Sequence, residues 1–277
     1  MTSLPSKQRI ESIDLLRGLV MVIMALDHVR DYVHFGSAAG RNPLDLETTS
    51  FWFFMTRWIT HYCAPIFVFL AGTSIFLMSQ KKTRKELSFF LLTRGLFLIF
   101  IELSLVTLGW TMDIQYRFLV FQVIGAIGAS MVLMSALLFL PSHLIWMLGL
   151  VMVGFHNAFD SWNYLADDPK WGFLVSIAHV FHIFEFTPNL SFGVIYPVLP
   201  WLGIMMCGYG LGNLYRSNFP AEKRKKYLIA LGTAAILLFI LLRFPNLYGD
   251  SKLWSGQATA LFSLLSFVNT SKYPPSL

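Results

Sequence analysis

The chain has 277 residues, of which 56% are hydrophobic, 16% aromatic and only 13% charged, and its formal net charge is +6. This composition excludes an intrinsically disordered chain and differs from that of an ordinary soluble domain. Apolar runs of about 20 residues, without the alternation of barrel strands, instead predict an all-α, polytopic transmembrane helix bundle. Cys63 and Cys207 both lie inside apolar runs, which excludes a disulfide framework and a thiolate metal cluster.

Seven apolar segments are predicted to cross the membrane. They cover residues 13–35, 51–79, 88–109, 118–140, 143–159, 192–214 and 227–244. With this count, three basic blocks fall on one side: Lys7 to Arg9, Lys81 to Lys85 and Arg216 to Lys226. The positive-inside rule makes this side, and the N-terminus with it, cytoplasmic. Because orientation in a lipid bilayer explains the positive charge, we expect no nucleic acid partner.

The first span carries ionisable residues that an apolar helix seldom holds. At about 100° per residue, one stripe of this helix contains Asp14, Arg17, Met21, Met24, His28 and Asp31. Lipid does not tolerate such a stripe, so we expect it to face a protein interior or a wet cavity. His28 is a candidate general base, which a neighbouring carboxylate can orient. Asp27, Asp31 and Glu102 are the candidates for that carboxylate, and the sequence does not choose between them.

Polar residues of the next two spans are predicted to lie near His28. A rise of about 1.5 Å per residue places His28, His61 and Glu102 at a similar depth in three different helices. Arg57 lies one turn from His61 on the same helix face. Pro65 removes a helical hydrogen bond, so we expect a bend in the second span that can open a cavity.

Two arginines are predicted to lie deeper, toward the cytoplasmic ends of their helices. Arg17 is about 5 Å and Arg94 about 9 Å above those ends, counted along the helix axis. Guanidinium groups at that level can hold phosphates that enter from the cytoplasm. The predicted site therefore has a basic layer below an acid–base layer.

Near the outer ends of two later spans, the candidates for an acceptor entrance are His156, Asp160, Tyr196 and Trp201. His156 and Asp160 also suit an interfacial cap of the fifth span. The segment from Tyr196 to Trp201 contains two prolines, which either kink a packing helix or expose backbone toward a cavity.

Two further patterns have simple explanations. His179, His182 and Glu185 recur every three residues, but they match no recognised zinc spacing, so we expect no metal site. The small residues in the segments 125–129 and 208–212 have the spacing of close helix contacts.

Motifs over most of the chain resemble a known family. They are Ser12-Ile13-Asp14-Leu15-Leu16-Arg17-Gly18, Asp27-His28-Val29-Arg30-Asp31, Thr56 to Phe67, Arg94-Gly95-Leu96 with Glu102, His156-Asn157 with Asp160, and Tyr196 to Trp201. The chain is similar to a bacterial family of the transmembrane acyltransferase superfamily that is related to heparan-α-glucosaminide N-acetyltransferase. The spacing from Arg17 to His28 also resembles that of acyltransferases that O-acetylate surface polysaccharides.

The resemblance implies a single transmembrane acyltransferase-like domain, residues 1–277, in the cell (inner) membrane. Its co-substrate would be cytoplasmic acetyl-CoA or another acyl-CoA, and its acceptor an amino or hydroxyl group of a sugar or envelope glycan. Family members have further spans after a sequence like Lys272-Tyr273-Pro274-Pro275, so the chain resembles a C-terminally shortened member. A homo-oligomer is left open.

In this interpretation, His28 is the general base and Asp27 or Asp31 orients it. The remaining roles are oxyanion stabilisation by Arg57 and His61, pKa tuning by Glu102, and binding of CoA phosphates by Arg17 and Arg94. A proton-coupled transporter or exporter of a small polar solute is the main alternative, because it also needs Asp, His and Arg inside the membrane. A third interpretation is a non-catalytic membrane partner whose charges serve helix association only.

Overall fold

The computed structural model describes residues 10–34, 40–250, 252–273 and 275–276, and these residues are mostly helical, as predicted. Lys7 and Arg9 of the first basic block lie outside the described residues, as does part of the loop after the first span. The chain divides into two compact units, Met1–Leu70 and Ala71–Leu277. The prediction that residues 1–277 act as one domain stays a prediction.

The N-terminal unit contains helix α1 (Glu11–Val33), helix α2 (Phe51–Thr60) and the start of helix α3 (Cys63–Ser79). The side chain of Ser50 accepts a hydrogen bond from the backbone N–H of Phe53 and so caps α2. Helices α2 and α3 are separated at His61 and Tyr62. Because Pro65 has no N–H, it cannot bond the carbonyl of His61, and the helix is interrupted at that residue. The bend and the cavity predicted there stay predictions.

The buried face of α1 differs from the predicted stripe. Ile13, Val20 and Arg30 are buried, whereas Asp14, Met21 and Asp31 of the stripe are exposed. The stripe is therefore only partly buried, with Arg17, Met24 and His28 half-buried, and its orientation toward a protein interior or a wet cavity stays a prediction. Asp14, Met21 and Asp31 each directly follow a buried residue, and consecutive residues are rotated by about 100° around the helix axis.

The C-terminal unit continues from α3 through a series of helices and three strands. They are α4 (Arg84–Ile101), a π-helical segment (Glu102–Val106), α5 (Thr107–Thr111), β1 (Phe118–Phe121), α6 (Val123–Leu137), α7 (Ser142–Phe155), a 3₁₀ segment (His156–Leu165), α8 (Gly172–Ala178), β2 (His182–Thr187), β3 (Leu190–Val194), α9 (Val198–Leu211), a second 3₁₀ segment (Gly212–Tyr215), α10 (Ala221–Arg243) and α11 (Ala260–Val268).

The three strands form a small sheet in the order β1-β3-β2. Strand β1 pairs parallel to β3, with Phe118 opposite Ser191, and β2 pairs antiparallel to β3. The predicted spans 118–140 and 192–214 therefore began too early, since their helices start at Val123 and Val198. A short apolar run can form either a strand or part of a helix, and its hydropathy does not distinguish the two. Here the pairing between distant segments makes these residues strands.

Within the described ranges, four helical stretches are long and apolar enough to cross a membrane. They are Phe51–Ser79, Arg84–Thr111, Ser142–Leu165 and Ala221–Arg243. They agree with the second, third, fifth and seventh predicted spans, and the chain is a multi-pass membrane protein. The count of seven spans and the cytoplasmic N-terminus stay predictions.

Glycines allow the helices of the C-terminal unit to pack closely. A Cβ built on Gly95 of α4 would lie 2.5 Å from the backbone oxygen of Gly128 in α6. On Gly149 of α7 it would lie 2.7 Å from the Cβ of Met206 in α9. Gly128 belongs to the segment 125–129, whose predicted role in close helix contact is confirmed.

Gly72 makes the closest of these approaches, and we expect Gly72→Ala to disrupt the packing of α3 on α9. A Cβ at Gly72 would lie 1.9 Å from the backbone oxygen of Met205 and 2.8 Å from the backbone nitrogen of Tyr209. Overpacking typically lowers the free energy of unfolding by about 1–3 kcal/mol. Because this clash is with backbone atoms, we expect a loss at the upper end of that range or above. Thermal unfolding of the purified protein in detergent measures the loss. The control Gly154→Ala meets nothing within 4 Å, and equal stability of the two variants would contradict the expectation.

Candidate functional site

Asp27 is the centre of a polar network between α1 and α2 in the N-terminal unit. Its Oδ1 accepts a hydrogen bond from Thr60 Oγ1 at 2.6 Å. Nη1 of Arg57 donates to Oδ1 and Oδ2 of Asp27 at 3.0 and 3.2 Å. Arg30 also donates from Nη2 to the same carboxylate. One carboxylate therefore holds two guanidinium groups and links two apolar helices.

Arg30 connects the two helices a second time, and sequence reasoning did not select it as a site residue. Its side chain is only 3% exposed. Its Nη1 donates to the backbone oxygen of Thr56 at 3.2 Å, and its Nε and Nη2 donate to Asp31 Oδ1 at 3.0 and 2.7 Å. The signal that could have found it is its position three residues after Asp27, since residues three apart share a helix face.

The structure thus brings Asp27, Asp31 and Arg57 of the predicted catalytic set into one network. His28 is half-buried on α1, and Asp31 follows it by three residues, the spacing of neighbours on one helix face. His61 is half-buried at the break between α2 and α3, where its backbone N–H donates to the oxygen of Trp58 at 3.2 Å. The catalytic roles assigned to these residues stay predictions.

Glu102, the remaining residue of the catalytic set, lies in the C-terminal unit and is fully buried. Its Oε1 accepts from the backbone N–H of Gln122 at 3.1 Å, and its Oε2 accepts from that of Gly125 at 2.8 Å. These N–H groups belong to the start of α6, where no side chain of the helix itself forms a cap. A carboxylate at a helix N-terminus is stabilised by the orphan N–H groups and the helix dipole. Glu102 therefore caps α6, and its predicted catalytic role stays a prediction.

We expect Glu102→Leu to lower the free energy of unfolding by about 1–3 kcal/mol, because two backbone N–H groups lose their acceptor. Glu102→Gln keeps one acceptor oxygen and should lose less. Thermal unfolding in detergent measures both variants, with Glu185→Leu on the exposed side of β2 as the control. If Glu102→Leu is as stable as the control, Glu102 has no capping role.

The two arginines predicted to bind phosphate are accessible. Arg17 Nη1 lies 3.6 Å from Asp14 Oδ1, and the two side chains are 37% and 52% exposed. Arg94 is exposed on α4. A residue that binds a phosphate must be accessible, and both arginines are. Their role in binding CoA phosphates stays a prediction.

His156 and Asp160, predicted on the acceptor side, belong to a buried polar cluster with His179. Nε2 of His179 lies 2.7 Å from Asp160 Oδ1, and the rings of His156 and His179 are 5.5 Å apart between centroids. Asn157 Nδ2 donates to Asp160 Oδ2 at 3.2 Å. His156 is 2% and His179 0% exposed. Sequence reasoning weighed His179 only as a metal ligand, and the described residues contain no group of three or more metal-binding side chains.

Three atoms of this cluster are buried without a hydrogen-bond partner in the described part of the chain: His156 Nδ1, His179 Nδ1 and Asn157 Oδ1. Each such atom costs about 1–3 kcal/mol relative to a bonded one. Tyr248 lies close by, and its hydroxyl donates to the oxygen of Gly154 at 2.9 Å. Partial burial raises the pKa of the Tyr248 phenol, so it remains a donor at neutral pH.

Tyr196 and Trp201, the other predicted acceptor-side residues, pack against each other. Their ring centroids are 5.0 Å apart, and Trp201 is fully buried. Tyr273 packs on Tyr196 at the same centroid distance, with the two hydroxyl groups 3.3 Å apart. These contacts support a packing role, while the acceptor role stays a prediction.

Comparison with known families matches residues 9–244 to the model of heparan-alpha-glucosaminide N-acetyltransferase, catalytic. Neither the curated proteins nor the solved structures contain a match. The matched range includes the Asp27 network, Glu102 and the His179–Asp160 pair, and it supports a membrane acetyltransferase type of function. The chain therefore belongs to the heparan-alpha-glucosaminide N-acetyltransferase catalytic family.

Proposed function

We propose that this chain transfers an acetyl or other acyl group from cytoplasmic acyl-CoA to an amino or hydroxyl group of a sugar or envelope glycan. The observation that carries the proposal is the network around Asp27, which lies in two apolar helices of the range that matches the acetyltransferase family. Charged groups inside membrane helices are costly and usually functional. A location in the cell (inner) membrane belongs to the same proposal.

Arg57 is proposed to stabilise the negative charge that develops on the thioester oxygen. Asp27 fixes one of its nitrogens through two hydrogen bonds, which presets the orientation of the guanidinium plane. Preset cationic donors are effective at such an oxygen because they need no reorganisation during the reaction. His61, one turn further along the chain, is the second predicted donor.

His28 is proposed as the base, with Asp31 as the carboxylate that orients it. Consecutive helix residues do not face each other, whereas residues three apart do, which favours Asp31 over Asp27. Asp27 is held by Arg30, Arg57 and Thr60, and this supports a positioning role toward Arg57.

The proposed reaction forms one bond to the acyl carbon and breaks another. The acceptor nitrogen or oxygen loses its proton to the base as it bonds to the acyl carbon, the C–S bond breaks, and the CoA sulfur gains a proton. The pair His179 and Asp160 offers a second site for proton transfer, because a carboxylate bonded to Nε2 fixes the tautomer and orientation of the ring. Arg17 and Arg94 are proposed to hold the CoA phosphates.

Acceptor-dependent release of CoA tests this function. Purified full-length chain in proteoliposomes is supplied with acetyl-CoA, with and without glucosamine, and free thiol is measured. We expect thiol release that requires both the protein and glucosamine. Flux of glucosamine driven by a pH gradient, with acetyl-CoA left intact, would support the transporter alternative and overturn the proposal.

A further inference from the structure

Three cationic side chains of the C-terminal unit line one cavity to which none of the predicted site residues belongs. The cavity measures about 200 Å³, and its lining includes Lys82, Arg84 and Arg216. Ser79 and Ser142 lie in the same wall. The described lining residues include no carboxylate, so the wall has a net positive charge.

Specific contacts position the cations, and Nζ of Lys82 lies 5.8 Å from the ring centroid of Phe90, a residue outside the cavity lining. Nη1 of Arg84 donates to the backbone oxygen of Phe139 at 3.1 Å, which ties the start of α4 to the connection between α6 and α7. The guanidinium of Arg216 lies 5.3 Å from the ring centroid of Phe76, a residue that also lines the cavity. A cation over an aromatic face is attracted by the ring quadrupole. The two guanidinium groups therefore come from separate parts of the chain and are held at one cavity.

The three cations have little counter-charge from the described part of the chain, where Glu86 interacts electrostatically with Lys82 without forming an ion pair. None of the three cations forms an ion pair with a described carboxylate within 4.0 Å. Glu86, two residues from Arg84, accepts hydrogen bonds from the N–H and Oγ1 of Thr83 at 2.9 and 2.8 Å as part of a capping box. Like charges that converge repel each other, and a bound anion removes that repulsion.

We propose that this cavity, the basic pocket, binds a phosphate group at the cytoplasmic surface of the membrane. Arginine pairs bidentately with phosphate oxygens, and lysine adds a point charge. Basic pockets between membrane helices on the cytoplasmic side recognise phosphate-containing lipid headgroups. The phosphate can belong to an anionic phospholipid or to CoA, and either source uses the same three cations. The proposal concerns binding and does not depend on acyl transfer.

Lipid binding is tested by native mass spectrometry of the full chain released from mixed micelles that contain phosphatidylglycerol or phosphatidylcholine. The test variant is Lys82→Gln/Arg84→Gln/Arg216→Gln. The control is Lys223→Gln/Lys225→Gln/Lys226→Gln, which removes the same charge from exposed positions of α10 outside the pocket. If the lipid is the source, we expect the test variant to retain about tenfold less phosphatidylglycerol than the control, with no difference for phosphatidylcholine.

CoA binding is tested in parallel by equilibrium dialysis of CoA and 3′-dephospho-CoA against the protein in phosphatidylcholine nanodiscs. If the pocket holds the 3′-phosphate, the intact chain binds CoA more tightly than dephospho-CoA, and the test variant loses this preference. If the triple variant does not fold, the single variants Arg84→Gln and Arg216→Gln replace it in both experiments. Each is expected to weaken binding of the phosphate-containing ligand about threefold. The proposal is overturned if pocket variants and control bind phosphatidylglycerol equally and show the same preference for CoA.

Discussion

Replacing Asp27 with alanine is expected to destabilise the protein by about 3–5 kcal/mol, because a buried charge cluster then loses the carboxylate that two arginines share. Arg30 is 3% exposed and loses one of its two carboxylate partners, while Asp31 remains. Arg57 loses both of its hydrogen bonds to the carboxylate, and Thr60 Oγ1 loses its bond to Oδ1. Thermal unfolding of the purified chain in detergent, followed by tryptophan fluorescence, measures the loss.

Asp14→Ala is the matched control for this prediction. It removes a carboxylate from the same helix, but its side chain is 52% exposed and its contact with Arg17 is 3.6 Å long. Exposed ion pairs contribute little to stability, so we expect almost no change. Similar unfolding temperatures for the Asp14 and Asp27 variants would show that the network around Asp27 does not hold α1 to α2.

Replacing His28 with glutamine is expected to lower acceptor-dependent CoA release by about 10²–10⁴-fold, the range of a general base. Glutamine retains hydrogen-bonding groups but cannot accept the proton. Asp31→Asn should reduce the rate less, because it affects only the orientation of the imidazole. The measurement is the initial rate of thiol release at saturating acetyl-CoA, with unfolding temperature recorded for every variant.

His143→Gln, at an exposed position near the start of α7, is the control and should retain full activity. His179→Gln separates the two proton-transfer candidates. If His179→Gln abolishes the reaction while His28→Gln leaves it unchanged, the base belongs to the His179–Asp160 pair, and the assignment to His28 is wrong.

Much of the fold follows from hydropathy, and the exceptions have a common cause. The long apolar helices and the break near Pro65 depend on local sequence, so they were predictable. Strands β1 and β3 are apolar as well, but only their mutual pairing makes them strands. Pairing between segments about 70 residues apart leaves no local signal in the chain.

The candidate site was predictable to a similar degree. Arg57 of the second span was predicted to lie near the ionisable residues around His28, and the structure pairs it with Asp27. Arg30 was missed because the predicted stripe began one residue away from the buried face. His179 was missed as a partner of Asp160 because the two are nineteen residues apart, with Asp160 in the first 3₁₀ segment and His179 directly after α8, so no local periodicity places them together.

Transfer of a ¹³C-labelled acetyl group tests the central claim most directly. Purified full-length chain in nanodiscs is incubated with ¹³C-acetyl-CoA and glucosamine, and the products are identified by mass spectrometry. We predict labelled N-acetylglucosamine in the same amount as the CoA released, and none with the Arg57→Gln variant. Intact ¹³C-acetyl-CoA after incubation with folded wild-type protein, or equal transfer by Arg57→Gln, would contradict the account.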